Sequence, residues 1–239
     1  MMRLHSDLLG KIELQLTRLK STLDYTYKSK AKANDLFEAF IFTILLDAAI
    51  RENVNRPIQF EDTSGNITSD ILFRRSPGYI NYQKKKYTHA VLIFPTKGDD
   101  LELEVHLGIY AVGSSKVPQE CDIAVLLRTE GKRCRNVKNK NSIVVKSTNI
   151  VIGVECKCHE SSKVALGSGR SFLGLVQDFS SNGKYFFVFN NEKPSVEKML
   201  SHYDKGWEHN LSPTSIKEID RLRNLFQDRF KILKAKVEL

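Results

Sequence analysis

Leu9, Ile12, Leu16, Leu19 and Leu23 recur at spacings of three and four, which predicts a helix over 6–27 with a heptad seam on an otherwise polar surface. Two heptads suit a helix laid on the rest of the domain, and they also offer a seam for pairing two copies of the chain. After a polar link over 28–33, Asn34 stands as an N-cap. Phe37, Phe40, Ile41, Ile44, Leu45 and Ala48 then make the apolar stripe of a second helix, with Glu38 on its edge. A short strand is expected near 71–73. Strands follow over 89–94 and 101–110, the second setting Leu101, Leu103, Val105 and Leu107 on one face and Glu102, Glu104 and His106 on the other, the pattern of a half-buried strand. Residues 121–127 and 150–154 are almost continuously apolar, as strands covered on two faces are. Between them lies a polar, basic insert. A helix over 163–179, an aromatic strand over 185–189 and a helix over 195–202 come next. The last helix opens on the capping box Ser215 and Glu218 and buries Ile216, Ile219, Leu222, Phe226, Phe230 and Leu233.

This order, with the most apolar strands in the middle, predicts one α/β domain: a central mixed β-sheet flanked by helices on both faces. Residues 1–30 read as an N-terminal helical arm, 31–203 as the core, and 204–239 as a C-terminal helix packing on it. At 239 residues, 41% hydrophobic and 27% charged, the chain is large enough for a self-sufficient core, which excludes a disulfide-stapled miniprotein and a disordered tail. The net charge of +9 favours polyanionic partners, nucleic acid or anionic lipid. No run approaches the roughly 20 apolar residues of a membrane span, and the first residues show no signal-peptide pattern, so no membrane partner and a cytoplasmic location are expected. Cys121, Cys134, Cys156 and Cys158 form no CxxC pair and read as reduced thiols; a zinc site from Cys156, Cys158 and His159 lacks a second paired half.

Two carboxylates stand out because each interrupts or ends a strand that otherwise reads as buried. Asp122 opens Asp-Ile-Ala-Val-Leu-Leu127 and Glu155 closes Ile150-Val-Ile-Gly-Val-Glu155, followed by Cys156 and Lys157. Buried carboxylates are normally paired, hydrogen-bonded or bound to metal. Residues two apart in a strand share a face, so Glu155 and Lys157 are presented together and Cys156 points away. If the two strands are neighbours, Asp122 can approach Glu155, and two carboxylates beside a lysine cradle a divalent cation and its water.

At Glu38, Asp122 and Glu155-Cys156-Lys157, with Glu120 just upstream, the sequence resembles the PD-(D/E)xK nuclease superfamily, the restriction-endonuclease-like fold, over about residues 34–190. The proline that often precedes the Asp is replaced by Cys121. The resemblance implies a restriction-endonuclease-like core with added terminal helices, and hydrolysis of phosphodiester bonds, in DNA first of all, with Mg²⁺ or a substituting Mn²⁺. Asp122, Glu155 and the backbone carbonyl of Cys156 would be the principal metal ligands, Glu38 would complete the shell, and Lys157 would orient or activate the attacking water. Gln177 matches a place where some members carry a Gln or Lys facing the site. Restriction or antiphage defence is a setting the resemblance suggests.

Nucleic-acid contacts are expected from Arg128, Lys132, Arg133, Arg135, Lys138 and Lys140 in the basic insert, from Lys84, Lys85 and Lys86 between Tyr82 and Tyr87, and from Arg170 in a glycine-containing turn. No Walker pattern accompanies those glycines, which excludes a P-loop ATPase, and His106 reads as a hydrogen-bonded bystander. With no separate DNA-reading domain, targeting falls to a partner protein or to a homodimer through the N-terminal helix. The rival readings are a noncatalytic nucleic-acid-binding protein and an interaction subunit of a larger complex.

Overall fold

The apolar segments from the middle of the chain pair side by side in a computed structural model that describes residues 10, 14, 33–52, 58–74, 76–81, 86–136, 143–159, 164–179, 183–191 and 193–238. The heptad seam from Leu9 to Leu23 and with it the homodimer reading, as well as Lys84, Lys85, Lys138 and Lys140, lie outside the described residues.

Eight strands form one mixed sheet: β1 (Gln59–Glu61), β2 (His89–Phe94), β3 (Leu101–Val112), β4 (Pro118–Leu127), β5 (Val145–Lys146), β6 (Ile150–Lys157), β7 (Lys184–Phe189) and β8 (Gly206–Glu208). Their spatial order is β1-β2-β3-β4-β6-β7-β8, with β5 paired to β3 off this path. Along this path the neighbours from β1 to β6 are antiparallel, while β5 lies parallel to β3. The β6-β7-β8 neighbours are parallel; such neighbours need a crossover, which the helices supply. Five helices accompany the sheet among the described residues: α1 (Ala33–Glu52), α2 (Arg128–Arg135), α3 (Leu166–Asp178), α4 (Pro194–His202) and α5 (Ile216–Val237). Helices α1 and α5 share one core with the sheet, and α3 and α4 share a second, so helices cover both faces as the pattern predicted.

Where the structure departs from the pattern, the reasons are local. Helix α1 buries Leu36, Ala39, Phe42, Leu46 and Ala49 as well as the expected stripe, because the sheet lies on one side of it and α5 on the other. A helix apolar all round is an interior helix. The C-terminal helix packs on the core and contributes Leu222, Phe226, Phe230 and Leu233 to it. Phe226 meets Phe186 edge-on at 5.3 Å, Phe230 packs on Phe94 at 5.1 Å, and β8 just before the helix forms the edge of the sheet. Its capping box does not form: the Ser215 hydroxyl donates to the Ser212 carbonyl at 2.8 Å, and Ile216 is 70% exposed.

Strand β3 is not half-buried. Glu104 and His106 are fully buried, because the basic insert begins as helix α2, which lies over this face of the strand. Gly131 permits the close approach, since a Cβ there would stand 1.9 Å from Glu104 Oε2. Halfway along β3, the side chains change cores: Leu107 packs with α1 and α5, Ile109 with the other core. Gly108 makes the change in a left-handed conformation (φ 55°), its carbonyl accepting the Gly78 N–H at 3.0 Å. On β4 the same switch falls between Cys121 and Ile123, which places Asp122 at the break in alternation.

Candidate active site

Strands β4 and β6 pair antiparallel until Ile123 and Val154, so Asp122 and Glu155 are the first residues past the last paired position. Asp122, 5% exposed, turns its Oδ2 to accept the Cys156 N–H at 2.8 Å. That bond ties the diverging strands together after the ladder has ended. Lys157 Nζ stands 2.6 Å from Glu155 Oε1 and 3.6 Å from Asp122 Oδ2, so the two-residue spacing on β6 does bring carboxylate and ammonium together. Cys156, between them, points into the α1/α5 core and is 3% exposed. Glu38 approaches from α1 and Glu120 from the solvent edge of β4, both close enough to act on Asp122 electrostatically.

Four carboxylates thus face one ammonium. Burial, and after it the charges of Asp122 and Glu120, pushes the Glu38 carboxyl up to about 9. Burial and then Asp122 raise Glu155 to about 7. Asp122 is raised by burial against the pull of Lys157 and the Cys156 N–H. Partial desolvation and Asp122 raise Glu120. Burial alone would lower Lys157, but Asp122 and Glu155 outweigh it and hold the amine firmly protonated. Burial pushes the Cys156 thiol well above its ordinary value, so what that residue offers a ligand is its backbone carbonyl. Carboxylates forced to share protons mark a place short of positive charge.

The donors here are hard oxygens, the type that Mg²⁺ selects. A tighter group lies elsewhere: His89, Glu104 and His106 bring ligand atoms within 4.8 Å of one another, a closeness that Glu38, Asp122 and Glu155 do not reach among the described residues. That group nevertheless does not fit a metal ion. The two imidazoles are stacked, 4.6 Å apart and 12° from parallel, whereas a ring nitrogen binds metal in its own plane. Glu104 already takes two N–H bonds from Arg135, one at 2.8 Å, and one from His106 at 3.0 Å. His106 is lowered to about 3 by burial and by His89, which keeps it neutral. These residues are a buried polar network that fastens α2 to β2 and β3, with Arg128 bonded to Glu61 at 2.6 Å on its margin.

The network changes the reading of the basic insert. Arg128, Lys132, Arg133 and Arg135 pair with Glu61, Glu102, Glu130 and Glu104 respectively, Lys132 and Arg133 keeping part of their side chains exposed. Arg135 is 7% exposed at its side chain. Lys86 and Arg170 are exposed. Gln177 is exposed on α3 and lines two surface clefts; among the described residues it is not one of the groups found against Asp122, Glu155 or Lys157. Helix α2 and the network escaped the sequence reading, since an ion-paired helix and a solvated loop have the same composition. Comparison of the chain with family models, with curated proteins and with solved structures returns no match.

Proposed function

We propose that the chain has a restriction-endonuclease-like core and is a Mg²⁺-dependent nuclease that hydrolyses phosphodiester bonds in DNA, with restriction or antiphage defence as its setting and a second copy or a partner protein for targeting. The observation that carries the reading is the convergence of Asp122, Glu155 and Lys157 where β4 and β6 part, with Glu38 arriving from α1. The basic charge of the chain supports it.

Asp122, Glu155 and the Cys156 carbonyl would hold the ion, with Glu38 completing its shell. Bound there, the cation would lower the pKa of its water and offset the charge that grows on the phosphate. Lys157 is an ammonium in this setting, so its role is that of a donor: it orients water or a phosphate oxygen and does not remove a proton as a free amine. The bond from the Cys156 N–H fixes the Asp122 carboxylate against β6, keeping its second oxygen for a ligand. Burial of the cluster strengthens each of these interactions relative to water.

Incubating supercoiled plasmid with the protein in Mg²⁺, Mn²⁺ or EDTA tests the proposal, together with Mn²⁺ binding followed by electron paramagnetic resonance. Nicked or linear product in either metal and none in EDTA is the expected result, with Mn²⁺ binding lost in Asp122→Ala. Mn²⁺ binding equal in wild type and Asp122→Ala, with no product, would refute it.

A further inference from the structure

Gln177 and Phe179, at the end of α3, line two clefts at once. One, of about 690 Å³, also has Lys116 and Lys146 in its wall; the other, of about 540 Å³, has Tyr203 and Lys205. The shared residues make the two clefts neighbours on one surface, a bipartite groove divided at Gln177. Its charge is mainly positive. Asp178, the one carboxylate in the lining among the described residues, stays ionised but has both oxygens occupied: Oδ1 accepts from Ser114 Oγ at 2.9 Å and Ser115 N at 2.7 Å, and Oδ2 from Ser115 Oγ at 2.9 Å and Gln119 Nε2 at 2.5 Å. Lys116 and Lys146 are exposed, Lys205 half-exposed, and Tyr203 is 54% exposed, its ring meeting His202 edge-on at 5.0 Å.

The turns that carry Lys116, Tyr203 and Lys205 are held by hydrogen bonds. Lys116 sits in a left-handed turn (φ 64°) between β3 and β4 that Asp178 pins to the end of α3 through Ser114 and Ser115. Tyr203 and Lys205 flank Asp204, also left-handed (φ 50°), in a turn closed by Lys205 N–H to the Leu200 carbonyl at 2.9 Å and Tyr203 N–H to the Met199 carbonyl at 3.2 Å. Cations on held turns along a groove, a glutamine amide in the middle and an exposed aromatic ring at one end are the elements of single-strand recognition: ammonium groups track phosphates, and an unpaired base stacks on the ring. A base held in a duplex cannot reach such a ring without leaving its own stack.

We propose that this groove binds a single strand of nucleic acid, with backbone phosphates at Lys116, Lys146 and Lys205 and a base stacked on Tyr203. The assignment of that strand as substrate rests on the nuclease reading above. Gln119, which bonds Asp178, is three residues from Asp122 on β4, about 10 Å at the rise of an extended strand. A strand in the groove would therefore pass within a few nucleotides of the carboxylates.

Fluorescence anisotropy with a labelled thymidine oligonucleotide, and with a duplex of equal length, tests this in EDTA, where no cutting intervenes. The double variant Lys116→Glu/Lys146→Glu should weaken oligonucleotide binding at least about tenfold, and Lys116→Gln/Lys146→Gln should flatten the plot of log affinity against log salt by about 1.4, the share of two single-strand phosphates. Tyr203→Ala should weaken the oligonucleotide by about 5- to 150-fold, the range that one stacked base supports, and leave the duplex unchanged. Lys231→Glu, on the solvent side of α5, is the charge control and should act less than twofold. Groove variants that bind like wild type, a Tyr203→Ala loss equal for oligonucleotide and duplex, or a Lys231→Glu loss as large as the groove's would overturn the proposal. Groove-dependent binding by a protein that never cuts upholds the groove and defeats the nuclease reading; cutting with binding indifferent to the groove does the reverse.

Discussion

Arg135→Met removes the cation from a carboxylate that has no access to water. Glu104 is fully buried and Arg135 is 7% exposed at its side chain, and the pair is made through two guanidinium N–H groups. Removing one partner of such a pair costs about 3–5 kcal/mol, because the remaining charge is stranded. The His106 bond to Glu104, 3.0 Å in the wild type, is not removed by the substitution, which favours the lower end, about 3 kcal/mol. At about 2–4 °C per kcal/mol for a chain of this size, the melting temperature should fall by about 6–12 °C. The pH dependence carries the sharper sign. In the wild type, burial acts to raise Glu104, but the Arg135 and His106 bonds overcome it and depress the carboxyl, so its contribution is present above the ordinary carboxylate range and is lost as pH falls towards the depressed value. In the variant, burial is no longer opposed by the guanidinium and folding draws a proton onto Glu104, so the loss relative to wild type should shrink as pH is lowered from 7 to 5.5, the His106 contribution being common to both proteins. Adding Glu104→Gln should restore at least about 1 kcal/mol, since no charge is then left unpaired. Urea unfolding of the single and double variants at both pH values measures all three quantities. A single-variant loss under about 1 kcal/mol, or a loss relative to wild type that grows on acidification, would refute the network.

Three further outcomes follow from the same structure. Phe226→Ala, which empties a fully buried position between α5 and β7, should cost about 3–5 kcal/mol in denaturant unfolding, where a truly peripheral helix would lose little. Glu38→Gln should raise the melting temperature in EDTA at pH 8. A carboxyl raised from 4.5 to about 9 binds a proton in the folded state that the unfolded state has released, so stability falls as pH climbs through that window, and the amide removes the slope. The same sign applies to Glu155 between 4.5 and about 7, so Glu155→Gln should flatten wild-type stability over that narrower range when melts are compared at pH 5 and 7.5.

Period and hydropathy made the architecture legible where a segment's burial is apolar. Strands at 89–94 and 185–189, the sheet's central pair and the helix over 195–202 follow the sequence pattern to within a few residues. The neighbourhood of Asp122 and Glu155 was a conditional inference from two apolar strands, and the antiparallel β4–β6 ladder supplies the condition. Segments buried through charge were not legible. Helix α2 reads as a solvated basic insert because what it buries is Glu130, Gly131 and Cys134 together with the paired Arg135. Glu104 and His106 alternate with Leu103, Val105 and Leu107 as a solvent-facing edge would, and only the covering helix distinguishes the cases. Strands β1, β5 and β8 are two or three residues long and fall below any periodic signal. Gln177 followed a family position rather than a local rule, and its exposure beside two clefts gives it a different surface.

The most direct test of the central claim is plasmid cleavage in Mg²⁺ by wild type beside Asp122→Ala, Glu155→Ala and Lys157→Ala, with circular dichroism to establish that each variant is folded. Wild type should cut, and every variant should lose at least about a hundredfold, since each substitution removes a charge placed against the developing transition state. Cutting that survives in folded Glu155→Ala or Lys157→Ala would contradict that claim, and would move the chemistry away from the place where β4 and β6 part.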